Sequence, residues 1–151
     1  MKIELIDIKD LKLDKKNARK HNSKNLDAIK SSISTFGVVE PLVVRKSTNV
    51  VIGGNGRLSA LREMGFKEVP VHYVDVDDNQ AKAMGLALNR TAELAEWDMV
   101  QLPETLKILF EDGINLEALG FSQSDLAEAI EEDKPKSDPK TKTCPHCGEI
   151  L

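Results

Sequence analysis

Residues 3–8 (IELIDI) alternate apolar and polar side chains, which predicts a strand with one buried face. After a basic, polar stretch, Lys15-Lys16-Asn17-Ala18-Arg19-Lys20-His21-Asn22, the period changes. Leu26, Ile29, Ile33 and Phe36 recur at helical spacing, with Ser23 placed to cap the start and Gly37 to end it. Pro41 opens the apolar run Leu42-Val43-Val44, Ser47-Thr48-Asn49 reads as a turn, and Val50-Val51-Ile52 returns as a hairpin partner. A second helix follows from the glycine cluster Gly53-Gly54-Asn55-Gly56 to about Met64, ended by Gly65. Val69 to Val74 predicts a fourth strand, whose Pro70 suits a strand start or a sheet edge.

The second half has the helical period only. Asp77 or Asp78 caps a helix through Ala81, Met84, Leu86, Ala87 and Leu88. Trp97-Asp98 marks a break, with Asp98 as the next N-cap and Pro103 in the first turn of a helix carrying Leu106, Ile108, Leu109 and Phe110. Ser122 to Asp125 has the form of a capping box, with Asp in the usual Glu position. Residues 133–143 (DKPKSDPKTKT) lack apolar side chains and read as a flexible linker. The expected class is therefore α+β: a small mixed sheet of about four strands with helices over residues 1–96, then a helical extension over 97–132. The linker and a terminal segment, 144–151, complete the organisation.

Composition adds bounds. With 40% apolar and 30% charged residues in 151, the chain has the make-up of a water-soluble globule. No apolar run approaches the ~18 residues of a membrane span, and MKIELIDIKD lacks a signal-peptide core, so a cytoplasmic protein is expected. The net charge of −4 is unevenly spread. Residues 1–70 hold 14 Lys and Arg against 8 Asp and Glu, while residues 71–133 hold 3 against 15. A basic half hints at an anionic partner, although charged residues also simply solvate a surface.

The candidate chemistry lies in strand, glycine turn and helix: VIGGNGRLSALREMG, residues 51–65. A helix start behind such a turn offers free N–H groups and the positive end of a dipole, which suits phosphate; the same turn also serves as a plain tight connection. Arg57 stands in the first turn, where the dipole disfavours a cation, and either a bound anion or an ion pair with a carboxylate would offset that. GxxxxGK[ST], HExxH and a Ser/His/Asp set are absent, and His72, in a strand, reads as structural. Cys144-Pro-His-Cys147-Gly is half of a zinc knuckle; a structural Zn2+ needs four ligands, so it is either completed from elsewhere or is a tail with two free thiols.

Four stretches, in this order, resemble the ParB/sulfiredoxin superfamily, in particular the N-terminal domain of ParB-like proteins. Asn17-Ala18-Arg19 is similar to the family's N-P-R. Ser32-Ile33 through Gly37-Val38-Val39-Glu40-Pro41-Leu42-Val43-Val44 is similar to its S-I, G, P and three-apolar pattern. Ile52-Gly53-Gly54-Asn55-Gly56-Arg57-Leu58-Ser59-Ala60 resembles A-G-E-R-R-x-x-A. Leu88-Asn89-Arg90 stands where the family has an acid-Asn motif on a helix. Residues 92–98 onward look most like phage and prophage members, several of which precede or join a DNA methyltransferase.

The resemblance implies a phosphate or nucleotide site on Gly53, Gly54, Asn55, Gly56 and Arg57, with Gly37 and Pro41 shaping it and Arg19 and Asn89 beside it. It implies a nucleoside triphosphate with Mg2+ as ligand, since ParB proteins bind CTP there. DNA or nucleotide, a methyltransferase or another phage protein, and a second copy are the implied partners; no membrane is. Departures are equally specific. The family's Glu-Arg is Asn55-Gly56 here, and its metal-binding acid is Leu88, which counts against Mg2+-dependent CTP hydrolysis. The sulfiredoxin Gly-Gly-Cys-His-Arg is Gly53-Gly54-Asn55-Gly56-Arg57, with no nucleophilic cysteine, so sulfinic-acid reduction is not expected. Residues 98–132 are too short and acidic for the helix-turn-helix domain of chromosomal ParB. Three functions stand: a nucleic-acid or nucleotide binder accessory to DNA modification, a metal-dependent nuclease or nucleotidase, and a non-catalytic interaction module.

Overall fold

The structure is a computed structural model that describes residues 2–132; the expected linker and both Cys144 and Cys147 lie outside those residues. Four strands, β1 (Glu4–Asp7), β2 (Leu42–Arg45), β3 (Val50–Gly53) and β4 (Glu68–Val74), form one mixed sheet in the order β1-β4-β2-β3. β2 and β3 are the expected antiparallel hairpin, while β4 runs parallel to β2 and antiparallel to β1. The helices are α1 (Ser23–Phe36), α2 (Asn55–Glu63), α3 (Asp78–Glu93), α4 (Gln101–Glu111) and α5 (Gln123–Glu132). The class is α+β, as the two periodicities predict.

Alternation decides which face of the sheet is covered. Leu42 and Val44 of β2, Val51 of β3, and Val69 and Val71 of β4 are fully buried and meet Leu58 and Leu61 of α2 and Ile33 of α1. Each such Leu or Val side chain contributes about 1.5–3 kcal/mol relative to staying in water. Ile52 points to the other face. There α3 crosses β3, and an added Cβ on Gly85 would lie 3.5 Å from the Ile52 carbonyl. No residue of α3 is buried. Its start is tied to the sheet by Arg45, whose Nε donates to the Val76 carbonyl at 2.9 Å and whose guanidinium pairs with Asp78. That pairing holds the Asp78 carboxyl below the ordinary carboxylate range.

The helical extension has its own small core of Leu106, Leu116 and Leu126, with Leu102, Leu119 and Phe121 packed against it. A 3-10 helix, Leu116–Leu119, joins this core to α1. Trp97 meets Phe121 edge to face, with ring centroids 5.7 Å apart. Among the described residues no helix is long and apolar enough to cross a membrane.

Three local expectations change. The cap of α1 is Asn22, not Ser23: Asn22 is extended, and its side chain accepts from the Asn25 N–H at 2.8 Å. Pro70 is not on a sheet edge, because β4 is flanked on both sides. It lies opposite Leu5, and pairing with β2 begins only at Val71, so the missing N–H faces no β2 partner. Asp77 caps α3 where the pattern put it, whereas α4 begins at Gln101 with Val100, not Asp98, in the cap position. Asp77 and Gln80 form a full capping box on α3. The Asp98 carboxylate accepts from the N–H groups of Val100 and Gln101 at 2.9 and 3.1 Å. Ser122 and Asp125 bond reciprocally at the start of α5.

Candidate functional site

The turn between β3 and α2 is built by glycine for two reasons. Gly54 takes φ 94°, a left-handed conformation that strains any residue with a Cβ. Three neighbours also close in on the glycines. A Cβ on Gly54 would meet Leu42 Cδ2 at 2.7 Å, one on Gly53 would meet Leu88 Cδ1 at 2.8 Å, and one on Gly56 would meet the His21 ring at 2.7 Å. The reading of the turn as a tight connection thus holds, and it leaves the ligand reading intact.

No side chain caps α2. The first ladder bond runs from the Leu58 N–H to the Gly54 carbonyl at 2.8 Å, so the N–H groups of Asn55, Gly56 and Arg57 have no acceptor within the helix. They coincide with the positive end of the helix dipole. The Asn55 side chain does not join them. It is buried, donates to the Val51 carbonyl at 3.0 Å and accepts from the Asp14 N–H at 3.0 Å. Of this predicted site residue, only the backbone is free for a ligand.

Both cations of the expected site are already engaged. Arg57 forms an ion pair with the Glu40 carboxylate, and its Nη1 lies 3.4 Å from the Glu40 carbonyl. Arg19 Nη1 donates to Glu93 at 2.9 Å and lies 3.4 Å from Asn89 Oδ1. Asn89 in turn donates to the Gly85 carbonyl at 2.8 Å. The ion-pair alternative for Arg57 is therefore the arrangement present.

A cavity of about 490 Å³ opens over the turn, lined by all nine residues expected there: Arg19, Gly37, Pro41, Gly53, Gly54, Asn55, Gly56, Arg57 and Asn89. They come from the basic loop, the α1–β2 loop, the glycine turn and α3. His21 and Asn25, joined at 2.7 Å, line it as well. Sequence alone did not bring them in, because His21 reaches the site by resting on Gly56, 35 positions away. Glu40 enters the sequence reading only within the stretch from Gly37 to Val44.

For a metal, the described residues hold no group of three His, Cys, Asp or Glu side chains that could bind one. Leu88, where the resemblance implies an acid, packs on Gly53. The half zinc knuckle lies outside the described residues.

Comparison with known proteins adds a family match. The ParB N-terminal domain family matches residues 1–90. A probable chromosome-partitioning protein ParB of Campylobacter jejuni is 29% identical over 111 residues, covering 72% of this chain and 37% of that protein. A probable plasmid-partitioning protein ParB of Thermus thermophilus is 31% identical over 110 residues, covering 72% and 32%. The chain thus spans about a third of the length of these curated relatives. The C-terminally truncated chromosome-partitioning protein ParB of Caulobacter crescentus, complexed with CTP-gamma-S, superposes with a TM-score of 0.71. It is 21% identical, and the match covers 86% of this chain and 77% of that one, so the two share a fold.

Proposed function

The chain belongs to the ParB N-terminal domain family, and on that premise we propose that it is a nucleotide-binding module that takes the phosphates of a nucleoside triphosphate at the start of α2 and acts on DNA. One observation carries this reading: an uncapped helix N-terminus behind a left-handed glycine and two arginines from distant segments line a single cavity. Phosphate oxygens accept from the N–H groups of Asn55, Gly56 and Arg57, and the Arg57 and Arg19 guanidinium groups turn to them. CTP is the first ligand to test, since the structurally similar Caulobacter ParB is complexed with CTP-gamma-S.

Mg2+ accompanying the triphosphate would screen its charge, and it keeps several waters and phosphate oxygens as ligands rather than needing a protein cage. Leu88 offers no carboxylate to such an ion, which favours binding over hydrolysis. The exposed Lys15, Lys16 and Lys20, in the loop that leads to Arg19, are assigned to DNA phosphates. The likeness of residues 92–98 to phage and prophage proteins supports a role beside phage-type DNA modification.

Thermal denaturation with a panel of nucleotides, with and without Mg2+, tests the site. A nucleoside triphosphate is expected to raise the midpoint of the wild type, and Arg57→Ala to remove most of that rise. A flat response of the wild type to every nucleotide would overturn the reading.

A further inference from the structure

Each guanidinium that faces the cavity has a carboxylate seated on it. Glu40 holds Arg57 from the α1–β2 loop, and Glu93 holds Arg19 from α3. The pairs differ in setting: the Arg57 side chain is only 25% exposed, whereas Arg19 and Glu93 are each near half. Among the described residues, the other cation that close to either carboxylate is Arg90, 3.4 Å from Glu93. A phosphate arriving at the start of α2 therefore meets no free arginine. It must exchange with an intramolecular anion.

We propose that Glu40, and more weakly Glu93, are built-in competitor anions that set the threshold of the site toward polyphosphates; this rests on the nucleotide reading above. The physical basis is effective concentration. A carboxylate tethered beside its guanidinium competes like a free anion at millimolar levels or more. A small monoanion, or a single phosphate touching one arginine, gains too little to displace it. A triphosphate gains at the helix N–H groups and at both arginines in one event, so it exchanges both carboxylates. In the absence of such a ligand the cavity stays charge-compensated, which also keeps Arg57 from pairing with passing DNA phosphates. Glu40 is in this sense a positioning and selectivity residue acting through Arg57.

The test is a double-mutant cycle read by titration calorimetry with CTP and with inorganic phosphate. Glu40→Gln is expected to tighten CTP binding about 1.5- to fivefold, the range set by removing a partly exposed ion pair. It is expected to make inorganic phosphate binding detectable where the wild type shows none. In an Arg57→Ala background the same substitution is expected to have no effect, because there is no guanidinium left to contest. Glu93→Gln should act in the same direction with a smaller effect. Weaker or unchanged CTP binding by Glu40→Gln, with wild-type binding intact, would overturn this inference and leave the nucleotide reading standing. So would a tightening that persists without Arg57, since simple repulsion between Glu40 and phosphate would then explain it. Binding of neither CTP nor phosphate by wild type and Glu40→Gln alike would overturn both.

Discussion

Replacing Asn55 with alanine removes two hydrogen bonds that tie β3 and the segment around Asp14 to the first turn of α2. The Val51 carbonyl and the Asp14 N–H then lose their partner in a buried or half-buried place. Such orphaned groups cost about 1–3 kcal/mol. Urea denaturation of Asn55→Ala should show a loss of that size, together with weaker nucleotide binding as the helix start loosens. An unchanged midpoint would refute the structural role. At this scale the sequence was legible where a residue acts alone. Gly54 could be read in place, because a left-handed turn is a local fact, and so could the position of Arg57 in the first helical turn, but not the Glu40 carboxylate that pairs with it. Asn55 could not, because one of its partners is 41 positions away. Its amide is as good a phosphate ligand on paper as a cross-link in fact.

Helix starts account for much of what was legible at the scale of elements, since a cap is a relation between residues three or four apart. Ser122–Asp125 was readable for that reason, Asp98 lies ahead of the cap position, which Val100 takes, and Asn22 was misread as Ser23 only because both are good caps in adjacent positions. These helix starts also predict a pH response. Backbone hydrogen bonds from Gln101 and Val100 hold the Asp98 carboxyl below its ordinary 3.8, and the hydroxyl and N–H of Ser122 do the same for Asp125. A carboxyl lowered in the folded state stabilises fully above the unfolded value and loses that contribution as pH falls through the folded one. Helicity of the extension should therefore drain below about pH 4, with little change between pH 5 and 8. Circular dichroism across that range checks it, and Asp98→Asn should flatten part of the acid limb. Loss of helix between pH 5 and 7 instead would point to other groups. Pro70 marks the limit of element-scale reading: whether a strand lies at an edge depends on which strands flank it, and the parallel pairing of β4 with β2 is set by the crossover, not by β4 itself.

Charge separates across the whole molecule as it does along the chain. The basic loop and the acidic α3 to α5 region meet where Glu93 of α3 pairs with Arg19. An overall charge of −4 makes uniform attraction to DNA impossible, so any DNA contact must be confined to a small basic face. Lys15, Lys16 and Lys20 are exposed and close in sequence, and Arg19 between them is occupied by Glu93. Three phosphate contacts would make the logarithm of the affinity fall with the logarithm of salt at a slope of about −3. That is shallow beside a dedicated DNA-binding domain. Fluorescence anisotropy with a DNA duplex over a salt series should give that slope. Changing Lys15, Lys16 and Lys20 together to alanine should remove about three units of it, leaving binding nearly insensitive to salt. Nucleotide binding should survive the triple change, because none of the three lysines lines the cavity. A slope untouched by the substitutions would move the DNA contact elsewhere on the molecule. A parallel loss of nucleotide binding would mean that the loop and the cavity act as one site rather than two neighbours.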